Sequence, residues 1–143
     1  MMKNHNAIMN TAIAFSDESY CERHKVGCAI AKNGRVLVTG YNGTVSGDKN
    51  NCEEIIDGEL KTNHDEVVHA EQNAIAFAAK EGIALKEATM FVTLSPCMQC
   101  AKLIIQTGIS EVIYLEEYRK PEVINYLRQH GVVCKKFKKK TIG

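Results

Sequence analysis

The first 38 residues carry two successive hydrophobic patterns. Apolar side chains at helical spacing predict a helix over residues 7–20, with an apolar face formed by Ala7, Ile8, Ala12 and Phe15. Apolar residues then alternate with small ones, which predicts a strand through Val26, Cys28 and Ile30. Asn33 and Gly34 both tolerate positive φ, so they predict a hairpin turn into a second strand over 36–38. The chain is therefore expected to open as a helix followed by a hairpin.

Residues 40–66 show little periodicity and are rich in Gly, Asn, Asp and Glu. This composition predicts a long ordered loop with a short helix near Glu53. Loops of this length inside a domain are commonly functional.

A regular alternation of elements begins at residue 69. Glycines are expected to end three helices, at Gly82, Gly108 and Gly131, and Pro96 is expected at a first helical position, where no backbone N–H is needed. The predicted elements are a helix over 69–80, a strand over 89–93, a helix over 96–108, a strand over 112–115, a helix over 121–130 and a strand over 132–136. This order predicts an α/β fold whose one sheet is covered on both faces.

Composition narrows the class of protein. A chain of 143 residues and 15.9 kDa is the size of one domain, so residues 1–143 are expected to form a single unit. Its 45% apolar and 24% charged residues exclude a disordered or fibrous protein. The longest apolar run, residues 74–79, is far shorter than the roughly 20 residues of a membrane-spanning helix. With no leader pattern near Met1, we expect a cytoplasmic protein in a reducing setting.

Charge is distributed unevenly. The formal net charge is +1, but five lysines lie in a basic tail, residues 135–143, so residues 1–134 carry a net charge of −4. A mildly acidic body disfavours a nucleic-acid partner, although the basic tail leaves that alternative open; most such tails are only solvated chain ends. In a reducing setting the six cysteines are better explained as metal ligands, reactive thiols or core residues than as a disulfide framework.

The clearest chemical signal is His69-Ala70-Glu71 followed by Cys97 and Cys100. One imidazole and two thiolates are favoured zinc ligands, and a set of three leaves a fourth position open for catalysis. His69 and Glu71 are about 200° apart on an ideal helix, so the two serve one site only from its first turn. Glu71 is suited to shuttle protons beside the metal. The alternative is a closed structural zinc site with a fourth ligand such as Cys28 or Cys52, which leaves Glu71 unexplained.

At these residues the chain resembles the deoxycytidylate (dCMP) deaminases of the cytidine deaminase superfamily. H-x-E followed by P-C-x-x-C is the known pattern of zinc nucleobase deaminases. The similar segments are residues 69–75 (HAEQNAI), 92–97 (VTLSPC), 101–109 (AKLIIQTGI), 26–28 (VGC) and 40–44 (GYNGT). The resemblance implies a three-layer α/β/α sandwich with one central mixed sheet of about five strands.

The resemblance also implies a reaction and a site. The implied reaction is zinc-dependent hydrolysis of dCMP to dUMP and ammonia, which supplies dUMP for dTMP synthesis. In the implied site, zinc is bound by His69, Cys97 and Cys100, and Glu71 is the proton shuttle. The implied substrate contacts are Asn42 to the deoxyribose, the Ala70 N–H and Ser95 carbonyl to the base edge, Arg23 to the 5′-phosphate and, more weakly, Tyr118. From the residues alone, Arg23 is equally well explained as a surface arginine, and the alternative for Asn42, less favoured than its binding role, is a turn residue.

Regulation and a second metal follow from the same resemblance. Many members of the family are hexamers that are activated by dCTP with Mg²⁺ and inhibited by dTTP. The corresponding effector loop in this chain consists of Asn42, Gly43, Thr44, Ser46, Gly47 and Asp48. Val45 stands in this loop in place of the usual proline. Some members bind a second, structural zinc, for which Cys21, Cys52 and His64 are candidates, with His24 as a possible fourth ligand. The alternative for Cys21 and Cys52 is scattered loop thiols, and Cys28 and Cys134 are expected in the core.

Three other functions fit the zinc pattern less well. A tRNA adenosine deaminase must bind a folded RNA, which the acidic body disfavours. A single-stranded DNA cytidine deaminase is expected to stack bases on aromatic side chains, yet the chain has no Trp and only 6% aromatic residues. A non-catalytic zinc-stabilised binding module has no use for Glu71. The expected partners are therefore a small nucleotide substrate, the two nucleotide effectors and further copies of this chain, with neither nucleic acid nor membrane.

Overall fold

The computed structural model describes residues 3–48, 51–118 and 120–138. Within them, helices and strands follow the order α1 (His5–Ser16), β1 (Gly27–Lys32), β2 (Arg35–Tyr41), β3 (Glu53–Ile56), β4 (Glu59–Thr62), α2 (Ala70–Glu81), β5 (Thr89–Leu94), α3 (Met98–Thr107), β6 (Glu111–Glu116), α4 (Pro121–Gln129) and β7 (Val133–Lys136). Of the basic tail, residues 139–143 lie outside this range.

Five strands form one mixed sheet in the order β2-β1-β5-β6-β7. The β1 strand pairs antiparallel with both β2 and β5, whereas β5, β6 and β7 run parallel. The Asn33-Gly34 turn that joins β1 to β2 has φ values of 54° and 78°, as the sequence predicted. The fold class and the five-stranded mixed sheet are thus confirmed.

Helices cover both faces of this sheet. On one face, Ile8, Met9 and Ala12 of α1 pack in a buried cluster with sheet residues that include Phe91 and Ile113. On the other face, α2, α3 and α4 contribute to a larger cluster with Cys28, Cys134 and further buried strand residues. The three-layer arrangement is confirmed, and the two cysteines are core residues as expected.

Gly40 allows α2 to approach β2 closely. A Cβ atom at this position would overlap the carbonyl oxygen of Ala70 and lie 2.8 Å from the backbone nitrogen of Ala74. Both of those residues belong to the first turns of α2 and are fully buried. The absence of a side chain at Gly40 therefore sets the position of the N-terminus of α2 against the sheet.

Three predicted features differ from the structure. Residues 53–62, expected as loop with a short helix near Glu53, form the β3–β4 hairpin, whose turn residues Asp57 and Gly58 have φ values of 52° and 78°. Helix α1 ends at Ser16 and does not reach residue 20. Helix α3 begins at Met98 with Cys97 as its N-cap, so Pro96 precedes the helix.

Within the described ranges, no helix combines the length and the apolar character needed to cross a membrane.

Candidate active site

Two helix N-termini bring three predicted zinc ligands together. His69 is the N-cap of α2, Cys97 is the N-cap of α3, and Cys100 lies in the first turn of α3. The Nδ1 atom of His69 is 3.3 Å from the sulfur of Cys100 and 3.4 Å from that of Cys97. All three ligand atoms lie within 4.8 Å of one another.

This donor set fits zinc. Zn–S bonds of about 2.3 Å and Zn–N bonds of about 2.0–2.1 Å in tetrahedral geometry separate the nitrogen and sulfur donors by about 3.5 Å, which is close to the two observed distances. One nitrogen and two sulfurs also leave the fourth tetrahedral position without a protein ligand among these residues. The arrangement matches an open catalytic site.

Local hydrogen bonds fix His69 at the start of α2. The side-chain oxygen of Gln72 accepts the His69 backbone N–H at 2.8 Å. The side-chain amide of Asn73 donates to the Tyr41 carbonyl at the end of β2, at 2.7 Å. The helix start is thereby tied to the sheet, and His69 and Glu71 both belong to its first turn, as their spacing requires.

The thiols of Cys97 and Cys100 differ in acidity. A hydrogen bond from the Cys100 thiol, helped by one from His69, lowers the pKa of Cys97 to about 4. The same bond raises the pKa of Cys100, because it favours the protonated thiol, and burial adds to that effect. The hydrogen bond to Cys97 raises the pKa of His69. Because zinc binds cysteine as the thiolate, metal binding at this site is coupled to proton release.

Glu71 is a buried carboxyl group beside the ligands. Only 4% of its surface is exposed. Burial raises the pKa of Glu71 to about 7, and the neighbouring Cys97 adds to the rise. A carboxyl group with a pKa near neutrality can both accept and return a proton under ordinary conditions. Its burial and position therefore suit a proton shuttle.

A cavity of about 410 Å³ opens over these residues. This volume lies in the range of about 300–1,000 Å³ that is usual for small-molecule sites. The five side chains or backbone groups predicted to bind substrate all line it, namely Arg23, Asn42, Ala70, Ser95 and Tyr118. The structure thus brings every predicted substrate residue into one cavity with His69, Glu71 and Cys97.

Comparison with known proteins agrees with this geometry. A family model described as the cytidine and deoxycytidylate deaminase zinc-binding region matches residues 2–116. The chain belongs to this family. The curated deoxycytidylate deaminase of Enterobacteria phage T4 is 36% identical, with 96% of this chain and 92% of the relative covered. That of the yeast Saccharomyces cerevisiae is 35% identical over 90% of this chain and 43% of the relative.

Two solved structures have a fold similar to this one. The dCMP deaminase of cyanophage S-TIM5, crystallised with dCMP and dUMP, has a TM-score of 0.86 and 42% identity, with 96% of this chain and 100% of the other covered. A structure from a study of tRNA A34 deaminases has a TM-score of 0.65 at 19% identity, over 92% of this chain and 98% of the other. The latter similarity extends to the fold alone.

Among the predicted substrate residues, Asn42 already has two partners for its side chain. Its oxygen accepts the backbone N–H of Val26 at 2.9 Å, and its amide donates to the His24 carbonyl at 2.7 Å. Ser19 donates to the Asn42 carbonyl at 2.9 Å. Asn42 therefore holds the loop that carries Arg23, in addition to lining the cavity.

Tyr118 and Ser95 are joined directly. The Ser95 hydroxyl oxygen accepts the Tyr118 backbone N–H at 2.6 Å, and the Tyr118 ring meets the His24 ring edge-on at 6.3 Å between centroids. The cavity is thus bounded by residues that follow β5 and β6 and by the loop that precedes β1.

Cys21 and Cys52 form a disulfide, with their Cα atoms 5.2 Å apart. The sequence favoured free thiols or metal ligands over a disulfide, so the structure differs from that expectation. The reason is that the loop before β1 and the segment before β3 place two buried thiols within disulfide distance. Their sulfurs also group with a Glu53 oxygen within 4.8 Å, whereas His64 and His24 line the same cavity without belonging to that group.

The predicted effector loop is connected to the start of the active-site helix. Gly43 and Val68 exchange two backbone hydrogen bonds of 3.0 and 2.7 Å, and Val68 directly precedes His69. Asp48 N–H donates to the Val45 carbonyl at 2.9 Å, closing a turn that contains Gly47 at φ 93°.

Sequence reasoning missed three polar residues that line the cavity, Glu53, Thr62 and Gln99. Glu53 and Thr62 enter it because they face each other across the β3–β4 hairpin. The signal that could have found them was Asp57-Gly58 between Ile55-Ile56 and Leu60, a standard hairpin pattern.

Proposed function

We propose that this protein is a zinc-dependent hydrolase that deaminates dCMP to dUMP and ammonia, with residues 1–143 acting as one catalytic domain. The observation that carries the proposal is the grouping of His69, Cys97 and Cys100 at two helix N-termini, beside the buried carboxyl of Glu71 and under a nucleotide-sized cavity. The similarity to phage enzymes of this activity supports it.

His69, Cys97 and Cys100 would hold the zinc ion. When bound, zinc supplies the Lewis acidity that makes water nucleophilic near neutral pH. Glu71 accepts one proton from the attacking water and delivers it to N3 of the cytosine ring as the water oxygen adds to C4. It then carries the second proton to the 4-amino group, so that the C4–N4 bond breaks and ammonia leaves.

Substrate contacts follow from the residues that line the cavity. The Ala70 N–H lies in the first turn of α2, where backbone N–H groups have no partner within the helix, and is assigned with the Ser95 carbonyl to the base edge. Asn42 is assigned to the deoxyribose. Arg23 and Tyr118 are assigned to the 5′-phosphate, because a guanidinium group matches phosphate oxygens.

A substrate panel tests this function. Ammonia release is measured from dCMP, deoxycytidine, dCTP, cytidine and a tRNA stem-loop. We expect kcat/KM for dCMP to exceed that for deoxycytidine by about ten- to a hundredfold, which corresponds to a charge-assisted hydrogen bond of roughly 1.5–3 kcal/mol. Equal values for the two substrates, or turnover of the stem-loop alone, would contradict the proposal.

Arg23→Ala isolates the phosphate contact. The variant is expected to lose most of the preference for dCMP over deoxycytidine, because only dCMP carries the phosphate. Arg35→Ala is the matched control, since Arg35 is exposed at the start of β2 and does not line the cavity. An unchanged preference in Arg23→Ala would remove Arg23 from the site.

We also propose a second, structural zinc on Cys21 and Cys52 in the reduced protein. The grouping of both sulfurs with a Glu53 oxygen supports the proposal, and His64 or His24 is the candidate for a further ligand. The disulfide and this zinc exclude each other, because both use the same sulfurs. Metal analysis should find two zinc ions per chain after reduction and one with the disulfide intact; one ion in both states would contradict it.

Regulation is proposed from the family resemblance. We infer activation by dCTP with Mg²⁺ and inhibition by dTTP through residues 42–48 of a homo-oligomer, a hexamer, in the cytoplasm. The backbone bonds between Gly43 and Val68 support the proposal, because they join this loop to the residue before His69.

A further inference from the structure

We propose that Glu53 is a positioning residue for recognition of the 5′-phosphate: it holds the loop that carries Arg23 so that the guanidinium group is aligned before substrate binds. The inference rests on the proposed function, because it assumes that Arg23 contacts the phosphate. Glu53 lies on the β3–β4 hairpin, outside the five-stranded sheet that supports the zinc ligands.

The Glu53 carboxylate accepts hydrogen bonds from two successive backbone amides, those of Glu22 and Arg23. One of its oxygens accepts the N–H of Glu22 at 2.9 Å and the N–H of Arg23 at 3.2 Å. Two successive N–H groups aimed at one oxygen fix the direction of the chain at Arg23, and hydrogen bonds to a charged acceptor are the stronger kind.

The neighbouring strand holds the other end of Arg23. Glu53 and Thr62 are register partners in the hairpin, so their side chains project from the same face. The Thr62 hydroxyl oxygen accepts a hydrogen bond from Nη1 of Arg23 at 3.2 Å. The hairpin thus binds both the backbone and the guanidinium group of Arg23.

The negative charge of Glu53 is better explained by a positioning role than by contact with the substrate. An acidic side chain that lines a cavity for a phosphorylated substrate repels that substrate unless the carboxylate is engaged elsewhere. Here the two amide N–H groups partly neutralise it. Because the backbone N–H groups of Glu22 and Arg23 are used in these two bonds, the phosphate contact is assigned to the Arg23 side chain.

Holding Arg23 in advance lowers the ordering cost of binding. A free arginine side chain loses rotamer freedom when it grips a ligand, and a side chain already held loses less. The benefit reaches only substrates that carry the phosphate. Glu53 is therefore expected to affect the preference for dCMP over deoxycytidine and not the deamination step.

The test compares Glu53→Ala, Glu53→Gln and Glu53→Asp in protein whose Cys21–Cys52 disulfide is intact, so that metal binding at these sulfurs does not contribute. We expect Glu53→Ala to lower the dCMP-to-deoxycytidine ratio of kcat/KM about tenfold, through KM for dCMP. Glu53→Gln keeps an oxygen acceptor and should restore the ratio to within about threefold. Glu53→Asp withdraws the carboxylate by one methylene and should give an intermediate loss.

Glu54→Ala is the matched control, because Glu54 is the next residue, is exposed and lies on the other face of β3. Melting temperature and zinc content are measured for each variant. The inference is overturned if all three Glu53 variants keep the ratio, or if dCMP and deoxycytidine lose activity equally. If Arg23→Ala itself keeps the ratio, the phosphate assignment in the proposed function fails instead.

Discussion

Glu71 is buried, yet its proposed role as a proton shuttle requires it to change its charge. Burial raises its pKa to about 7, and an ionised carboxylate in that position costs folding free energy. An alanine or glutamine at this position removes the buried charge, so the glutamate is better explained by chemistry than by stability.

Replacement of Glu71 tests its assigned role. Glu71→Ala should lower kcat by several orders of magnitude, because general acid–base catalysis alone contributes roughly 10²–10⁴-fold. Zinc content should stay at the wild-type level, because Glu71 is outside the His69, Cys97 and Cys100 group. Glu81→Ala, at the exposed end of the same helix, is the control. A zinc-loaded Glu71→Ala protein with near wild-type turnover would falsify the assignment.

The cysteines provide a second test at the residue scale. Cys100→Ser should greatly weaken zinc retention during dialysis against a chelator, because one of three protein ligands is lost. Cys134→Ala is the control, since Cys134 is equally buried but lies in the core on β7. Metal analysis after dialysis distinguishes the two. Equal zinc retention in both variants would show that Cys100 is not a ligand.

The spacing of residues along the chain is sufficient to propose a site at His69, Glu71, Cys97 and Cys100. The first two lie close together in sequence at the start of one helix, and the other two at the start of another. Glu53 could not be found in this way. Its contacts with Glu22 and Arg23 depend on a hairpin 30 residues away in sequence. The Cys21–Cys52 disulfide was missed for the same reason, since only the fold shows that two distant loops meet.

At the scale of elements, the active site depends on how closely α2 packs against β2. The first turn of α2 carries His69 and Glu71, and Gly40 leaves room for that turn. The same tight approach lets the Asn73 side chain reach the Tyr41 carbonyl. A displacement of α2 therefore moves the proposed zinc ligand His69 and the proposed proton shuttle Glu71 together.

Gly40→Ala should disturb this packing. The added Cβ collides with backbone atoms of Ala70 and Ala74, which cannot move aside as a flexible side chain can, and overpacking of this kind costs about 1–3 kcal/mol. The melting temperature should fall, and kcat should fall with it. Gly43→Ala, where a Cβ meets no atom within 4 Å, is the control for stability. An equal melting temperature for Gly40→Ala and wild type would contradict this account.

Helices and strands with a regular hydrophobic pattern are predicted close to their observed bounds. The hairpin that is marked only by its turn residues is not. Helices α2 and α4 and strands β5 and β6 lie within a residue or two of their expected bounds. The β3–β4 hairpin is not predicted because its apolar residues Ile55, Ile56 and Leu60 form no alternating pattern along the chain, and the structure leaves all three exposed. Only the Asp57-Gly58 turn indicated strands there.

At the scale of the whole molecule, the residues of the candidate site lie together at one end of the sheet. Strands β5 and β6 run parallel, and the residues that follow them, Ser95 and Tyr118, line the same cavity. Ligands of open α/β sheets commonly bind beyond the carboxyl ends of the strands. The hairpin and the loop before β1 then close the cavity on the side assigned to the phosphate.

Nucleotides are expected to control the activity of the whole assembly through the effector loop. The effector loop, residues 42–48, is bonded to Val68 next to His69, so a change in the loop can reach the zinc ligand. Control requires differential affinity: dCTP must bind the active arrangement better and dTTP the inactive one, each by about 1–3 kcal/mol for typical coupling. Mg²⁺ is expected to accompany dCTP, because it would offset the triphosphate charge near an acidic body.

The rate plotted against dCMP should accordingly be sigmoidal without effector and hyperbolic with dCTP and Mg²⁺, while dTTP suppresses activity at subsaturating dCMP. Light scattering should report an oligomer, because a sigmoidal curve requires interacting sites, and the family resemblance implies that it is a hexamer. Val45 stands where family members usually have proline, and a freer backbone there is expected to weaken both responses. Val45→Pro should therefore strengthen them. Hyperbolic curves indifferent to both nucleotides in a monomeric protein would refute the regulatory proposal and leave the catalytic one intact.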